Sequence, residues 1–324
     1  MKIIIITQGI SPIVKPLLNS HHQIVGIIES APRNYEKHNK KSPTLLVIRF
    51  FKTISPRISL KGFCKNKKIP YFLLTKINSE ECEKWIHEKK IDLLVIHSMS
   101  QLLSRNIWSI PKYGTINLHP SSLPKYRGPN PLFWTYYFFE KKGGITIHFI
   151  NEGEDTGDII AQKEFDIPPG EEISNINENF IFKLGVPLLL SSIEAIENGE
   201  VFAVSQDTKS SPTMRAKNLT DEEYLQIIDW KSFDVERVWH ILRGFINHKP
   251  LIKSSSFSNF GRIWKILNFK SYNTDNFKKG NIYNMNNRKF LVCSNGIVYF
   301  KKSIKIKKIL MDLMKISSGK KILL

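Results

Sequence analysis

Short runs of consecutive apolar residues alternate along the N-terminal part of the chain with segments whose apolar residues recur every three or four positions. That is the pattern of a parallel sheet with crossover helices. Residues 2–7, 24–29, 71–74, 93–97 and 115–118 are predicted strands. Ahead of the fourth, Ser79 is followed by Glu80 and Glu81, with Trp85 and Ile86 further on, so an N-cap with acids in the first turn predicts a helix start. After Gly143 and Gly144, residues 145–150 and 159–165 predict two more strands. Residues 174–198 carry helical spacing in Ile176, Phe180, Leu184, Leu188 and Ile196, with Gly199 as a stop and Pro187 as an expected kink.

Past residue 206 the pattern changes. Residues 206–218 are polar, with Ser210, Ser211 and Pro212, and read as a linker. Residues 221–245 predict a helical segment around Trp230, Val235, Val238, Trp239, Leu242 and Phe245. Beyond about 262, short strand-like pieces (280–283, 290–293, 297–300) are separated by Asn286-Asn287 and Asn295-Gly296, the latter pair a two-residue hairpin signal. The fold class read from this is α/β: a Rossmann-like, mostly parallel sheet over 1–205, a linker and helical segment over 206–259, and a smaller, basic, β-rich domain of OB-like type over 260–324.

With 324 residues and 41% hydrophobic side chains, the chain can bury real cores, which excludes disorder for most of it. Its longest uncharged apolar runs, such as 3–6 and 186–190, fall far short of the roughly 18 residues a membrane span needs. The four isoleucines after Lys2 are too few for a secretory leader, so a cytoplasmic protein with no membrane partner is expected. Cys64, Cys82 and Cys293 have no paired spacing, which points to incidental thiols rather than a disulfide framework or metal site.

The formal charge of +19 is segregated: residues 31–70 carry +10, residues 260–324 carry +13, and residues 71–259 carry −5. Two basic blocks around an acidic centre favour a phosphate-rich partner, although charge runs are also commonly just solvated faces.

Gly9 follows the first strand where a phosphate loop would sit, but neither a Gly-x-Gly-x-x-Gly nor a Walker pattern is present. The chemically informative region is 113–158. Asn117 and His119 alternate at a strand end, so both side chains emerge on one face, and ligands of open α/β sheets bind beyond the carboxyl ends of strands. Pro120, Pro124 and Gly128 then define a rigid loop. Asp155, between Gly153 and Gly157, lies on a second loop with the backbone freedom to approach a ligand. His97 and His148 read as structural.

The run Asn-x-His-Pro-Ser-Ser-Leu-Pro-Lys-Tyr-Arg-Gly at 117–128, Gly-Ile-Thr-Ile-His at 144–148 and Asp-Thr-Gly-Asp at 155–158 resembles the folate-dependent formyltransferases, which include enzymes acting on methionyl-tRNA, glycinamide ribonucleotide and amino sugars. The resemblance covers about residues 1–205. More weakly, 206–324 resembles the linker and C-terminal domain of methionyl-tRNA formyltransferases through Ile228-Asp229-Trp230 and Arg243. It implies a catalytic domain over 1–205, 10-formyltetrahydrofolate as co-substrate, and catalysis by Asn117, His119 and Asp155 without a metal. Asn117 would donate to the oxyanion, His119 would stabilise it or shuttle the proton, and Asp155 would orient His119 and help deprotonate the amine. The folate would lie against 98–103 and 153–155, with Met99, Leu103, Gly153 and Asp155 as its binding residues.

The resemblance implies a phosphate-bearing amine as acceptor, and two features bear on which one. Relatives acting on tRNA usually carry Gly-Arg-Gly-Lys and Arg-Gly-Ala-Ala-Pro where this chain has Ala31-Pro32-Arg33-Asn34 and Arg127-Gly128-Pro129-Asn130-Pro131, which speaks against a tRNA acceptor, and a nucleotide-linked amino sugar also presents a primary amine near phosphates. The basic blocks fall where tRNA-acting relatives meet nucleic acid, which favours a methionyl-tRNA-type acceptor. A catalytically silent folate- or RNA-binding relative is the remaining alternative, against which stand the intact Asn117, His119 and Asp155.

Overall fold

The computed structural model describes residues 1–31, 59–76, 79–99, 101–207, 209, 211–252 and 262–304. Most of the first basic block, including 32–34 of the loop compared above, the end of the second block (305–324) and Ser100 of the expected folate wall lie outside the described residues. The chain forms two compact units, one of 1–131, 142–165 and 177–216, the other of 132–141, 166–176 and 217–324. The second unit thus takes in two stretches that the sequence-based division at 205/206 places in the first.

The first unit is built on a seven-stranded sheet. In chain order its elements are β1 (Lys2–Thr7), α1 (Val14–Leu18), β2 (Gln23–Ser30), α2 (Leu60–Lys67), β3 (Tyr71–Leu74), α3 (Glu80–Lys89), β4 (Leu93–His97), α4 (Arg105–Trp108), β5 (Thr115–His119), β6 (Lys142–Phe149) and β7 (Ile159–Asp166). The spatial order is β3-β2-β1-β4-β5-β6-β7. Neighbouring strands from β3 to β5 run parallel, and β5 pairs with β6 antiparallel. Central β1 buries Ile3, Ile4, Ile5 and Ile6 completely, as a strand covered on both faces must, and each such side chain contributes about 1.5–3 kcal/mol. The helix expected after Ser79 forms, with the Ser79 hydroxyl accepting from Cys82 N–H at 3.1 Å.

The segment expected as one helix from 174 is composite. A short turn (Ile173–Asn175) leads into a π-helical stretch (Ile176–Phe182) and then a regular helix (Lys183–Asn198) that contains Pro187. Ile173–Asn198 is by length and composition apolar enough to cross a membrane. In this fold its Leu189, Ile193 and Ile196 side is buried, and Gly185 lets the helix pack closely on β5 and β6 at Leu118 and Ile145.

The second unit holds helices at Asp221–Gln226 and Val235–Phe245 where the sequence predicted one continuous segment, and a four-stranded antiparallel sheet. Its strands are β8 (Arg262–Ser271), β9 (Ile282–Met285), β10 (Arg288–Val292) and β11 (Gly296–Ile304), ordered β8-β11-β10-β9. The two-residue hairpin turn is Asn286-Asn287, both with positive φ, between paired Met285 and Arg288. At 293–296 the Cys293 N–H donates to the Gly296 carbonyl at 2.8 Å, so a second two-residue turn forms with Ser294-Asn295 at its tip, one residue before the Asn295-Gly296 pair expected from the sequence.

Candidate active site

Asn117 and His119 occupy alternate positions of β5, so they share a face. The antiparallel register sets His148 of β6 directly across from Asn117. Three polar side chains are thereby assembled on one patch of sheet before any loop contributes. The imidazoles of His119 and His148 meet edge to face, with centroids 6.2 Å apart.

The loop after β5 is anchored back onto the sheet. Thr146 Oγ1 donates to the Ser121 carbonyl at 2.7 Å and accepts from Leu123 N–H at 3.1 Å. At Gly144 an added Cβ would fall 1.9 Å from Ser122 Oγ, so only glycine lets the loop lie this close. The loop after β6 is equally constrained: Asn151 Oδ1 accepts from Gly153 N–H at 3.0 Å and from the Thr156 hydroxyl at 2.7 Å. A Cβ on Gly157 would fall 1.9 Å from the Phe149 carbonyl. This holds Asp155 at φ +53°, a left-handed conformation that aspartate tolerates better than most residues.

Asp155 completes the cluster. Its Oδ2 accepts from Gly128 N–H at 2.9 Å and lies 3.6 Å from His119 Nδ1, while Oδ1 lies 3.5 Å from His148 Nε2. Burial alone would raise its pKa, but positive charge on His119, a hydrogen bond and positive charge from His148, and the Gly128 amide outweigh burial and hold the carboxyl well below the usual range. His119, 4% exposed, has its pKa lowered chiefly by burial and further by His148, with Asp155 and the Tyr126 carbonyl opposing.

Hydrogen-bond chemistry fixes which ring nitrogen carries the proton in each neutral imidazole. His119 Nε2 lies 3.2 Å from the Tyr126 carbonyl, which can only accept, so Nε2 carries the proton and Nδ1 presents a lone pair on the Asp155 side. His148 Nδ1 donates to the Phe149 carbonyl at 2.8 Å; its Nε2, 3.2 Å from the Asn117 amide nitrogen, accepts from Asn117 in the neutral ring and donates to Asp155 when the ring is protonated. Asn117 is therefore oriented by His148 and keeps its second amide N–H uncommitted to that contact. His148, read from sequence as structural, touches both Asn117 and Asp155.

The expected folate residues are placed less compactly. Met99 and Leu103 are half-buried and, like Ile150, pack against the core cluster that includes Ile96 and Ile107. Gly153 lies on the Asp155 loop.

The polar stretch after 205, expected as a linker, is part of the first unit up to Ala216. Gln206 is buried; its amide donates to the carbonyls of Asp155 at 3.1 Å and Gly157 at 2.6 Å, and its Oε1 accepts from Arg127 Nη2 at 3.0 Å. Ser211 donates to the Pro124 carbonyl, Thr213 accepts from Tyr126 N–H, and Ala216 exchanges main-chain bonds with Arg127 and Asn130. Arg215 forms a two-point ion pair with Glu154. The stretch is a strap across both site loops.

Polar side chains gathered beyond the strand ends of an open α/β sheet mark where such folds bind ligands, and the comparisons give the class of enzyme, a transferase. The family described as formyl transferase matches residues 1–185. Methionyl-tRNA formyltransferase of Alkaliphilus oremlandii is 31% identical over 235 residues, covering 72% of this chain and 69% of that one. The enzyme of the same name from Syntrophus aciditrophicus is 41% identical over 169 residues, 49% of this chain and 52% of its own. Other relatives of that name are matched over 58% and 64% of their lengths. Among solved structures, the sugar 3N-formyl transferase WlaRD, crystallised with dTDP and 5-N-formyl-THF, superposes with a TM-score of 0.62 at 19% identity over 94% of this chain and 99% of that one. An N-formyltransferase from Helicobacter canadensis gives a TM-score of 0.60 at 18% identity, over 93% of this chain and 99% of its own. The chain belongs to the formyl transferase family.

Proposed function

We propose that this protein is a cytoplasmic enzyme that transfers the formyl group of 10-formyltetrahydrofolate to the primary amine of a methionyl-tRNA-type acceptor. The observation that carries the reaction is the convergence of Asn117, His119, His148 and Asp155. The co-substrate supplies an activated formyl carbon. The acceptor nitrogen bonds to that carbon, the bond from the carbon to the folate nitrogen breaks, and the amine proton ends on the departing nitrogen.

The geometry supports the following roles. The free amide N–H of Asn117 donates to the oxygen as negative charge develops on it, a contact worth about 3–4 kcal/mol in comparable sites. His119, kept neutral by burial, takes the amine proton at Nδ1. The imidazolium so formed faces the Asp155 carboxylate, 3.6 Å away, and returns the proton to the leaving nitrogen. The Asp155 loop, with Met99 and Leu103, forms the folate wall.

For the acceptor, methionyl-tRNA is supported by the relatives at 31–41% identity and by the basic second unit, whose sheet carries Lys265, Lys270, Arg288, Lys289, Lys301 and Lys302. A nucleotide-linked amino sugar is the second reading, favoured by Pro129-Asn130-Pro131 where tRNA-acting relatives carry Ala-Ala-Pro. The test is an acceptor panel with 10-formyltetrahydrofolate, comparing initiator methionyl-tRNA with nucleotide-linked amino sugars. Turnover of the tRNA with an acceptor KM that rises steeply with salt supports the first reading. A salt-insensitive KM for a sugar replaces it with the second, and folate binding without turnover of any acceptor removes the enzyme reading.

A further inference from the structure

Well apart in sequence from the residues of that site, His21 and His22, just before β2, meet Glu197 in the last turn of the Lys183–Asn198 helix. His21 Nε2 lies 3.0 Å and His22 Nδ1 3.6 Å from the same carboxylate oxygen, Glu197 Oε2. One ligand atom from each of the three residues lies within 4.8 Å of the other two. The other carboxylate oxygen is engaged by the Met1 amino nitrogen at 2.7 Å, which also sits 3.4 Å from His22 Nδ1. The His22 ring is buried and that of His21 is 62% exposed, so the cluster has a fixed inner side and a side open to water.

We propose that His21, His22 and Glu197 form a binding site for one divalent transition-metal ion of the zinc, cobalt or nickel type. Ligands about 2.1 Å from such an ion stand about 3.0 Å apart at right angles and about 3.4 Å apart in a tetrahedron, and the two histidine-to-carboxylate spacings, 3.0 and 3.6 Å, bracket those values. Two imidazole nitrogens and one carboxylate oxygen suit these metals rather than calcium or magnesium, which favour oxygen donors. Imidazole is mostly neutral at pH 7 and able to coordinate. A helix C-terminus carries negative partial charge, so a cation there is further favoured. The exposed side leaves positions for water. The ion would tie the start of β2 to the end of a helix 176 residues away in sequence, so its role is to staple the first unit.

The test uses the full chain, stripped with chelator and then titrated with zinc by calorimetry and with cobalt by visible absorption. One ion per chain with Kd below about 10 µM is expected, with a rise in Tm of roughly 3 °C at saturating zinc and no response to calcium. His21→Ala, at an exposed position, and Glu197→Gln each weaken binding at least about tenfold and abolish the zinc-dependent part of the Tm rise. Absence of saturable zinc or cobalt binding at about 100 µM overturns the proposal. So does binding that survives both substitutions at full affinity, because the ion then sits elsewhere.

Discussion

The side-chain amide of Gln206 holds the main chain of Asp155 by its carbonyl, 3.1 Å away, while the other end of the same amide is gripped by Arg127. The left-handed backbone of Asp155 thus has an external brace, and Gln206 acts as a positioning residue. Gln206→Glu keeps the acceptor for Arg127 but sets a carboxylate against the carbonyls of Asp155 and Gly157. It is expected to lower kcat by about tenfold or more with little change in folate KM. An unchanged kcat would show that the loop holds its shape without the brace.

Asn117 and His148 should act as a unit. Asn117→Ala is expected to reduce kcat/KM by about 100-fold or more. His148→Gln should cost about tenfold in the native background and clearly less in the Asn117→Ala background, because its effect passes partly through Asn117. Full additivity in the double-mutant cycle would separate the two residues.

The rate should rise with pH on its acid side. Burial lowers the pKa of His119, and the base must be unprotonated, so activity falls as pH drops through a value below the 6.5 of ordinary imidazole. Asp155 opposes that lowering. Asp155→Asn should therefore move the acid limb to still lower pH while reducing the plateau. Profiles of kcat at saturating substrates check both, and a limb at or above 6.5 would exclude His119 as the base.

Acid should also loosen the fold. Burial pushes His97 down to about 4, and burial together with Lys141 pushes His240 down to about 4. The unfolded chain binds protons at these histidines below pH 6.5 while the folded chain does not. Stability is therefore intact above pH 6.5 and declines as pH falls from 6.5 towards 4, by up to about 3 kcal/mol for each. Urea titrations at pH 7, 6 and 5 measure the decline. In the second unit His240 stacks on Tyr136 at 4.3 Å and accepts from Gly170 N–H, so a conservative His240→Gln should flatten the pH dependence.

Asn117 and His119 were legible in the sequence because a strand's two-residue repeat puts them on one face without reference to anything else. Asp155 is marked in the sequence by its flanking glycines and by the family resemblance. His148 carries no such local signal because its place depends on register: only the antiparallel pairing of β5 with β6 sets it opposite Asn117, and cross-strand register is not a local property. Gln206 was invisible for a related reason. A polar, proline- and serine-containing stretch has the composition of a linker whether or not its side chains bond to distant loops. The π-helical stretch at 176–182 likewise keeps a helical pattern of apolar residues and gives no separate signal.

The second unit's claim on 132–141 and 166–176 has a consequence for dissection and for evolution. Phe133 packs edge-to-face on Tyr224 and Phe245, and Tyr136 donates to the Glu171 carbonyl. A truncation at 205 would strip the partners from rings that remain in the shortened chain. The C-terminal portion is therefore not a detachable module, and a chimera meant to exchange acceptors would have to carry these two upstream inserts along with it.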